Sequence, residues 1–409
     1  MNSILRLARP LWLLAMLASL IGLTACGSSS DSGSSSSSDT SSDSSSDDSS
    51  SDDSSDDSSA DDSDDSSSDD SSSTDCSSDD YPTELACAAN AFLATLDSSE
   101  LASVSYDWSD SESKTVWSNL PTGSVQRNGL ALGDMSTSQQ EAAYYLASVA
   151  LSDAGYLDFQ GVLAADDYLG EQSSGGGGGG AAYSSDLYYF AIFGTPSADD
   201  VWMLQIGGHH MAYNITMLNG TGYPVPNHIA AEPKDSFVLN SETWAPVEDE
   251  GNAMVDIFDS LSADDLSTAY LSGQSFSDVL MGPDNGSGVL PDDYPSGSDR
   301  TGLLVSYMSD TQQALVIAAI EEWVRDFPDE VADELMDDYT SDDAFADTYV
   351  AWAGTESAGV DVDVSGTYMR IDGPRLWIEV AVQNGVVISN KTHYHTMYRD
   401  KTMDYGNSL

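Results

Sequence analysis

Basic residues are scarce in this chain of 409 residues: 12 Lys and Arg stand against 69 Asp and Glu, a formal net charge of -57. Such a surface repels nucleic acid and anionic membranes, so no nucleic-acid partner is expected. Cysteine is nearly absent, with three residues, and histidine numbers five. There is no HExxH pair, no phosphate-binding P-loop and no GxSxG elbow, which removes the commonest zinc-protease, nucleotide and serine-hydrolase signatures. The glycine run 175–180 follows no strand and opens no helix, so it is not a dinucleotide fingerprint. Long apolar runs are missing too. The longest, Leu11 to Leu23, is too short to span a membrane.

That run belongs to a targeting segment. Arg6 and Arg9 make a positive start, and Leu23-Thr-Ala-Cys26 has the small residues before a cysteine that mark a lipobox. Residues 1–26 therefore read as a lipoprotein signal, with Cys26 lipidated. Gly27 rather than Asp follows it, which by the usual sorting rule points to the outer membrane of a Gram-negative cell. A lipid anchor is then the only membrane contact expected. Residues 27–80 are nearly all Ser and Asp, with nothing to bury, and read as a disordered tether. A coil of this length spans roughly 40 Å, and like charges stretch it. The tether holds 18 of the acidic residues, so most of the negative excess lies in the folded part. Cys76 and Cys87, at the junction in an exported protein, are expected to pair.

Residues 81–409 read as a single globular α+β domain. Apolar spacing predicts a helix over Glu84–Leu96. Ser138-Gln-Gln-Glu141 reads as a capping box opening a helix to about Asp153. Strands are expected over Leu187–Phe193, Val201–Ile206 and Met211–Met217, then a loop over 220–250. Helices follow near Asn252–Asp259, from Ser262, from Asp310 to about Arg325, over Asp329–Met336 and over Asp343–Trp352. Strands close the chain at Gly366–Ile371, Arg375–Val382 and Val386–Tyr398, the last two joined at Asn384-Gly385.

Two halves, about 81–220 and 252–400, can be laid over one another. Arg127, Gly129, Leu130, Met135, Ser136, Gln139 and Gln140 match Arg300, Gly302, Leu303, Met308, Ser309, Gln312 and Gln313, all 173 positions apart. An internal duplication is the expectation, each half being helices followed by about three mainly antiparallel strands. In this alignment Trp202 answers Trp377, and His209-His210 answers His393-Tyr-His395.

The histidines are where chemistry can sit. His393 and His395, two apart on a strand, face one way and can share an ion. His209 and His210 are adjacent, so a regular strand would send them to opposite faces unless Gly207-Gly208 allows a bulge. A metal site of His209, His210, His393 and His395 is one reading, with zinc or another divalent transition metal. A metal-free acid/base site of His393 or His395 beside Arg399 is a second, and histidines that only pack or hydrogen-bond a third. A tight turn at Asn384-Gly385 would put Glu379 on the face opposite His393. Arg370, Arg375, Lys391, Arg399 and Lys401 crowd around the C-terminal pair, a local inversion of sign that suits ion pairing or a small anionic ligand.

Gly-Gly-His209-His210, Ile371-Asp-Gly-Pro-Arg-Leu-Trp-Ile-Glu379 and His393-Tyr-His-Thr-Met-Tyr-Arg-Asp400, with Asp404-Tyr-Gly406, resemble the bacterial domain of unknown function family 3500. The resemblance implies one long domain and brings no activity. The expectation is a lipid-anchored envelope protein with a histidine-lined metal site. It would hydrolyse an anionic substrate, with Arg399 or Arg375 steadying negative charge. A non-catalytic metal- or ligand-binding lipoprotein is the alternative.

Overall fold

A computed structural model describes residues 76–173, 183–283 and 294–409. The lipobox segment, the Ser/Asp tether up to residue 75 and the six-glycine run lie outside the described residues.

Three long helices open the domain. Helix α1 (Tyr81–Ala94) starts at Asp80, whose carboxylate accepts from the Thr83 amide. A disulfide joins Cys76 to Cys87 on this helix. Helix α2 (Thr137–Ala150) is capped by Ser136 and Gln139 in a reciprocal box, two residues before the expected Ser138. It stops at Ala150, and α3 (Asp153–Ser173) follows at once, a helix that the spacing did not announce. Four strands come next: β1 (Tyr189–Gly194), β2 (Trp202–Gly208), β3 (Met211–Leu218) and β4 (Asn227–Ala231). Then come helices α4 (Glu248–Asp259), α5 (Asp310–Val324) and α6 (Asp329–Thr340). The strands β5 (Tyr349–Ala353), β6 (Tyr368–Asp372), β7 (Leu376–Asn384) and β8 (Thr392–Asp400) complete the order. The domain is thus mixed α+β.

These eight strands lie in the order β1-β2-β3-β4-β8-β7-β6-β5 within one twelve-stranded sheet. Every pair among the eight is antiparallel, while the short edge strand Ser105–Tyr106 runs parallel to β1. Successive residues alternate between faces. One face is apolar and carries the helices: Trp323 of α5 donates to Thr396, and Tyr339 of α6 donates to Asp400. The other face carries His228, Glu379, His393, His395 and Arg399. Loops near residues 117–119 and 276–282 cover it, with Phe276 stacked 3.9 Å from Tyr368. Both faces being covered, β2 and β8 are buried along their whole length, polar residues included.

Two of these eight strands were not expected. Strand β4 lies in the stretch read as a loop, and it joins the two halves of the sheet through β8. Strand β5 was read as part of a helix over Asp343–Trp352; only Asp342–Phe345 is helical. Read inward from either edge, the order is a short strand (130–131 or 303–304), then four antiparallel strands in chain order. Gln140 donates to the Leu132 and Met135 carbonyls, and Gln313 to those of Val305 and Met308. Counted this way, the β2–β3 turn with His209 and His210 has the place of the β6–β7 turn and not of β8, where His393 and His395 stand; Trp202 is on the second of the four strands from its edge and Trp377 on the third.

The hairpin joining β7 to β8 is also different. Asn384 pairs with Thr392, so residues 385–391 form a seven-residue loop instead of a two-residue turn. Gln383 then faces His393, and Glu379 faces Met397. Glu379 therefore shares the face of His393, the reverse of the expectation.

Candidate metal centre

The turn between β2 and β3 has only His209 and His210, since Gly208 pairs with Met211. Its path is held from three sides. The Tyr188 hydroxyl donates to the His209 carbonyl at 2.6 Å, Arg127 donates to the Gly208 carbonyl at 3.0 Å, and a Cβ on Gly208 would meet the Tyr188 ring at 2.5 Å. His210 has φ 64°, a left-handed conformation that few side chains adopt. This bend answers the problem of adjacent histidines. His210 turns over the sheet toward β8, and His209 goes the other way, its Nδ1 2.6 Å from Asp166 on α3. The two rings stay stacked at 3.7 Å.

His393 and His395 project from β8 on the same side, as their spacing requires. His395 Nε2 lies 3.3 Å from His393 Nε2 and 3.3 Å from His210 Nε2. Three nitrogens held about 2.1 Å from one tetrahedral ion stand about 3.4 Å apart. The three ligand atoms all fall within 4.8 Å of one another, and this cluster could hold a metal ion. His209 is not among these three; its Nδ1 is turned to Asp166.

A second shell is in place. Asp278 Oδ1 is 2.7 Å from His395 Nδ1, and Asn119 and Gln383 approach the same nitrogen at 3.1 and 3.0 Å. With the proton of His395 on Nδ1 and given to Asp278, the Nε2 lone pair points at the other two rings; this carboxylate–imidazole pairing is the usual orienter of a metal ligand. Burial would raise the Asp278 carboxyl, but the neighbouring His395 charge and hydrogen bond bring it down to about 2. His228 was read as a loop residue. It sits on β4 with its ring 5.7 Å from that of His395 and 6.2 Å from Trp117. Neither of its ring nitrogens has a hydrogen-bond partner, nor does His393 Nδ1. Only the pairing of β4 with β8 brings it here, and no spacing in the sequence signals that.

Arg399 and Arg375 are engaged elsewhere. Arg399 donates to the Met281 and Gly282 carbonyls and pairs with Asp404 at 2.7 Å. Arg375 pairs with Asp400 and Asp338 at the far end of β7, where Leu376 faces Asp400, whereas His395 faces Ala381. Glu379 accepts from the Leu280 and Met281 amides at 2.7 and 2.6 Å and from the Tyr368 hydroxyl at 2.6 Å. Arg399 and Glu379 thus pin the loop that carries Asp278; they are positioning residues and do not touch the triad.

The protonation of the triad follows from burial. His393 is pushed down to about 3 by burial and by the charges of His395 and His209; His210 goes well below the usual imidazole range for the same reasons. Both are therefore neutral, ligand-ready nitrogens at pH 6–8. Metal loading near pH 6.5 is therefore expected to draw no proton from His210 or His393. The buffer dependence of the calorimetric binding enthalpy measures this, and release of three protons would contradict the assignment.

A family model described as "Protein of unknown function (DUF3500)" matches residues 79–407. No curated protein and no solved structure matches the chain.

Proposed function

Since this chain belongs to the DUF3500 family, which brings no assigned reaction, we propose a function from its own geometry: a lipid-anchored cell-envelope protein whose His210, His393 and His395 hold one divalent transition metal for a hydrolytic reaction. The observation that carries this reading is the spacing of the three Nε2 atoms. Three neutral imidazoles leave a fourth position open, the pattern of catalytic rather than structural zinc. When bound, zinc supplies an acidified water and a Lewis acid. The residues do the rest. Asp278 fixes the tautomer of His395. Its side chain is 39 % exposed while the triad is buried, so it stands between the triad and solvent.

Arg399 and Arg375 have carboxylate and carbonyl partners already, so an anionic substrate has no free arginine here and substrate charge is not part of this reading. The metal-free acid/base alternative loses Arg399 for the same reason. A binding site without turnover remains a second reading, favoured by the burial of all three rings. Zinc-loaded full-length protein tested on chromogenic carboxylic and phosphoric esters separates them. Hydrolysis that falls about 100-fold or more in His395→Ala supports the enzyme. Tight zinc binding with no turnover on any ester supports the binding protein.

The lipobox at Cys26 and the tether support attachment to the outer membrane. No helix among the described residues is long and apolar enough to cross a bilayer. The matched order of strands from both edges, with the paired Gln140 and Gln313 bonds, supports an internal duplication. The triad would then straddle the seam of the two copies, with one ligand from the first and two from the second.

A further inference from the structure

On the helical side of the sheet, away from the histidines, three carboxylates converge from three helical elements. Asp158 comes from α3, Glu250 from the first turn of α4, and Asp326 from the chain just beyond α5. One oxygen of each lies within 4.8 Å of the others. Glu250 and Asp326 are each 2 % exposed, and Glu250 Oε1 and Asp326 Oδ2 have no hydrogen-bond partner. The charged groups acting on the three are themselves acidic, Asp249 and Glu322.

A fourth, independent group points to the same place. Tyr213 of β3 is fully buried, and its hydroxyl has no partner. Its ring packs edge-on to Phe327, the neighbour of Asp326, at 6.1 Å, and the hydroxyl lies within electrostatic reach of all three carboxylates, which with burial raise its pKa. The backbone here is locked: Ser152 donates to the Asp326 carbonyl at 2.9 Å and to the Arg325 carbonyl at 2.6 Å, and a Cβ on Gly155 would meet the Asp326 oxygen at 2.2 Å. Three carboxylate oxygens are therefore held together with an unpartnered buried hydroxyl near them, and burying them without a positive charge is costly.

We propose that Asp158, Glu250, Asp326 and the Tyr213 hydroxyl form a site for a hard divalent cation, best suited to calcium, distinct from the histidine centre. The all-oxygen donor set excludes a thiophilic or imidazole-seeking metal. A protein-built cage of three carboxylates suits calcium better than magnesium, which keeps most of its waters. Bound there, the ion ties α3, α4 and the end of α5 to β3, the strand that begins beside His210.

The test uses the full-length chain with its disulfide intact and metals stripped, heated at about pH 7.5 with and without excess calcium. Any calcium taken up by the Ser/Asp stretch outside the folded domain is common to folded and unfolded protein, so it does not move the midpoint. A rise of about 5 °C is expected for saturation near a hundred times Kd. The Glu250→Gln/Asp326→Asn double variant is expected to lose that response. His393→Ala/His395→Ala is expected to keep it. Should the first variant not fold, Tyr213→Phe removes one donor and is expected to weaken calcium about tenfold. Several outcomes overturn the proposal: an unchanged midpoint in the parent, as protonated carboxyls sharing hydrogen bonds would give; a shift that survives Glu250→Gln/Asp326→Asn, or an undiminished affinity in Tyr213→Phe; or a shift lost with the histidines.

Discussion

Zinc titrated into the metal-stripped chain is expected to occupy one tight site, and His395→Ala to lower its affinity by more than about 100-fold. The reasoning starts from position: His395 Nε2 is the nitrogen that lies 3.3 Å from both other ligands, so its removal leaves two donors with no shared neighbour. Changes outside the ligand shell already cost 10–100-fold in affinity, and loss of a ligand costs more. Asp278→Asn is expected in that lower range, because the amide cannot hold the Nδ1 proton of His395 as firmly as the carboxylate does at 2.7 Å. His209→Ala is expected to bind zinc far more nearly like the parent, since His209 lies outside the cluster of three nitrogens. Competition with a chromogenic chelator reads all three. The same two 3.3 Å contacts can be N–H to N hydrogen bonds in a metal-free cluster, with His395 as acceptor. A parent protein that takes up no zinc, or a His395→Ala variant that takes it up as well as the parent, would establish that state instead.

Glu379→Ala is expected to lower stability by about 3 kcal/mol, because two backbone amides and one hydroxyl lose an acceptor in a dry interior. For a domain of this size that is a fall of about 4–5 °C in Tm. The change reaches the metal centre as well. Leu280 and Met281, which Glu379 holds, follow Asp278 within three residues, so the variant frees the loop that orients His395. Zinc affinity is therefore expected to drop with stability. Glu379→Gln keeps one acceptor oxygen and is expected to recover part of both. Thermal unfolding with a parallel zinc titration measures the pair, and a destabilised variant with parental zinc affinity would show that Asp278 is held by other means.

The helices and their caps were close to legible. Ser136 with Gln139 and Ser309 with Gln312 make the same reciprocal boxes, 173 residues apart, because a cap is a local device written in four consecutive residues. The choice of Ser138 in place of Ser136 shows the limit of that reading, since both offer a hydroxyl at helix-like spacing. Strands β4 and β5 were missed for a different reason. Asn227–Ala231 lies among prolines, and Tyr349–Ala353 follows a run of helix formers. Each is a strand only because a neighbour supplies its hydrogen bonds. The error at Glu379 is of the same kind: a loop of seven residues in place of two reverses which side chains share a face.

By itself the sequence determined the acidic character, the mixed fold class and the placing of His393 and His395 on one side of a strand. These follow from composition and from periodicities of a few residues. Tertiary structure alone decided that His210 and not His209 joins them, that His228 lies alongside, and that Arg375 and Arg399 are occupied. Each of those depends on which strands lie side by side and on how a two-residue turn bends at a positive φ. Such pairings are fixed by contacts between residues up to nearly two hundred positions apart, for which no local pattern exists.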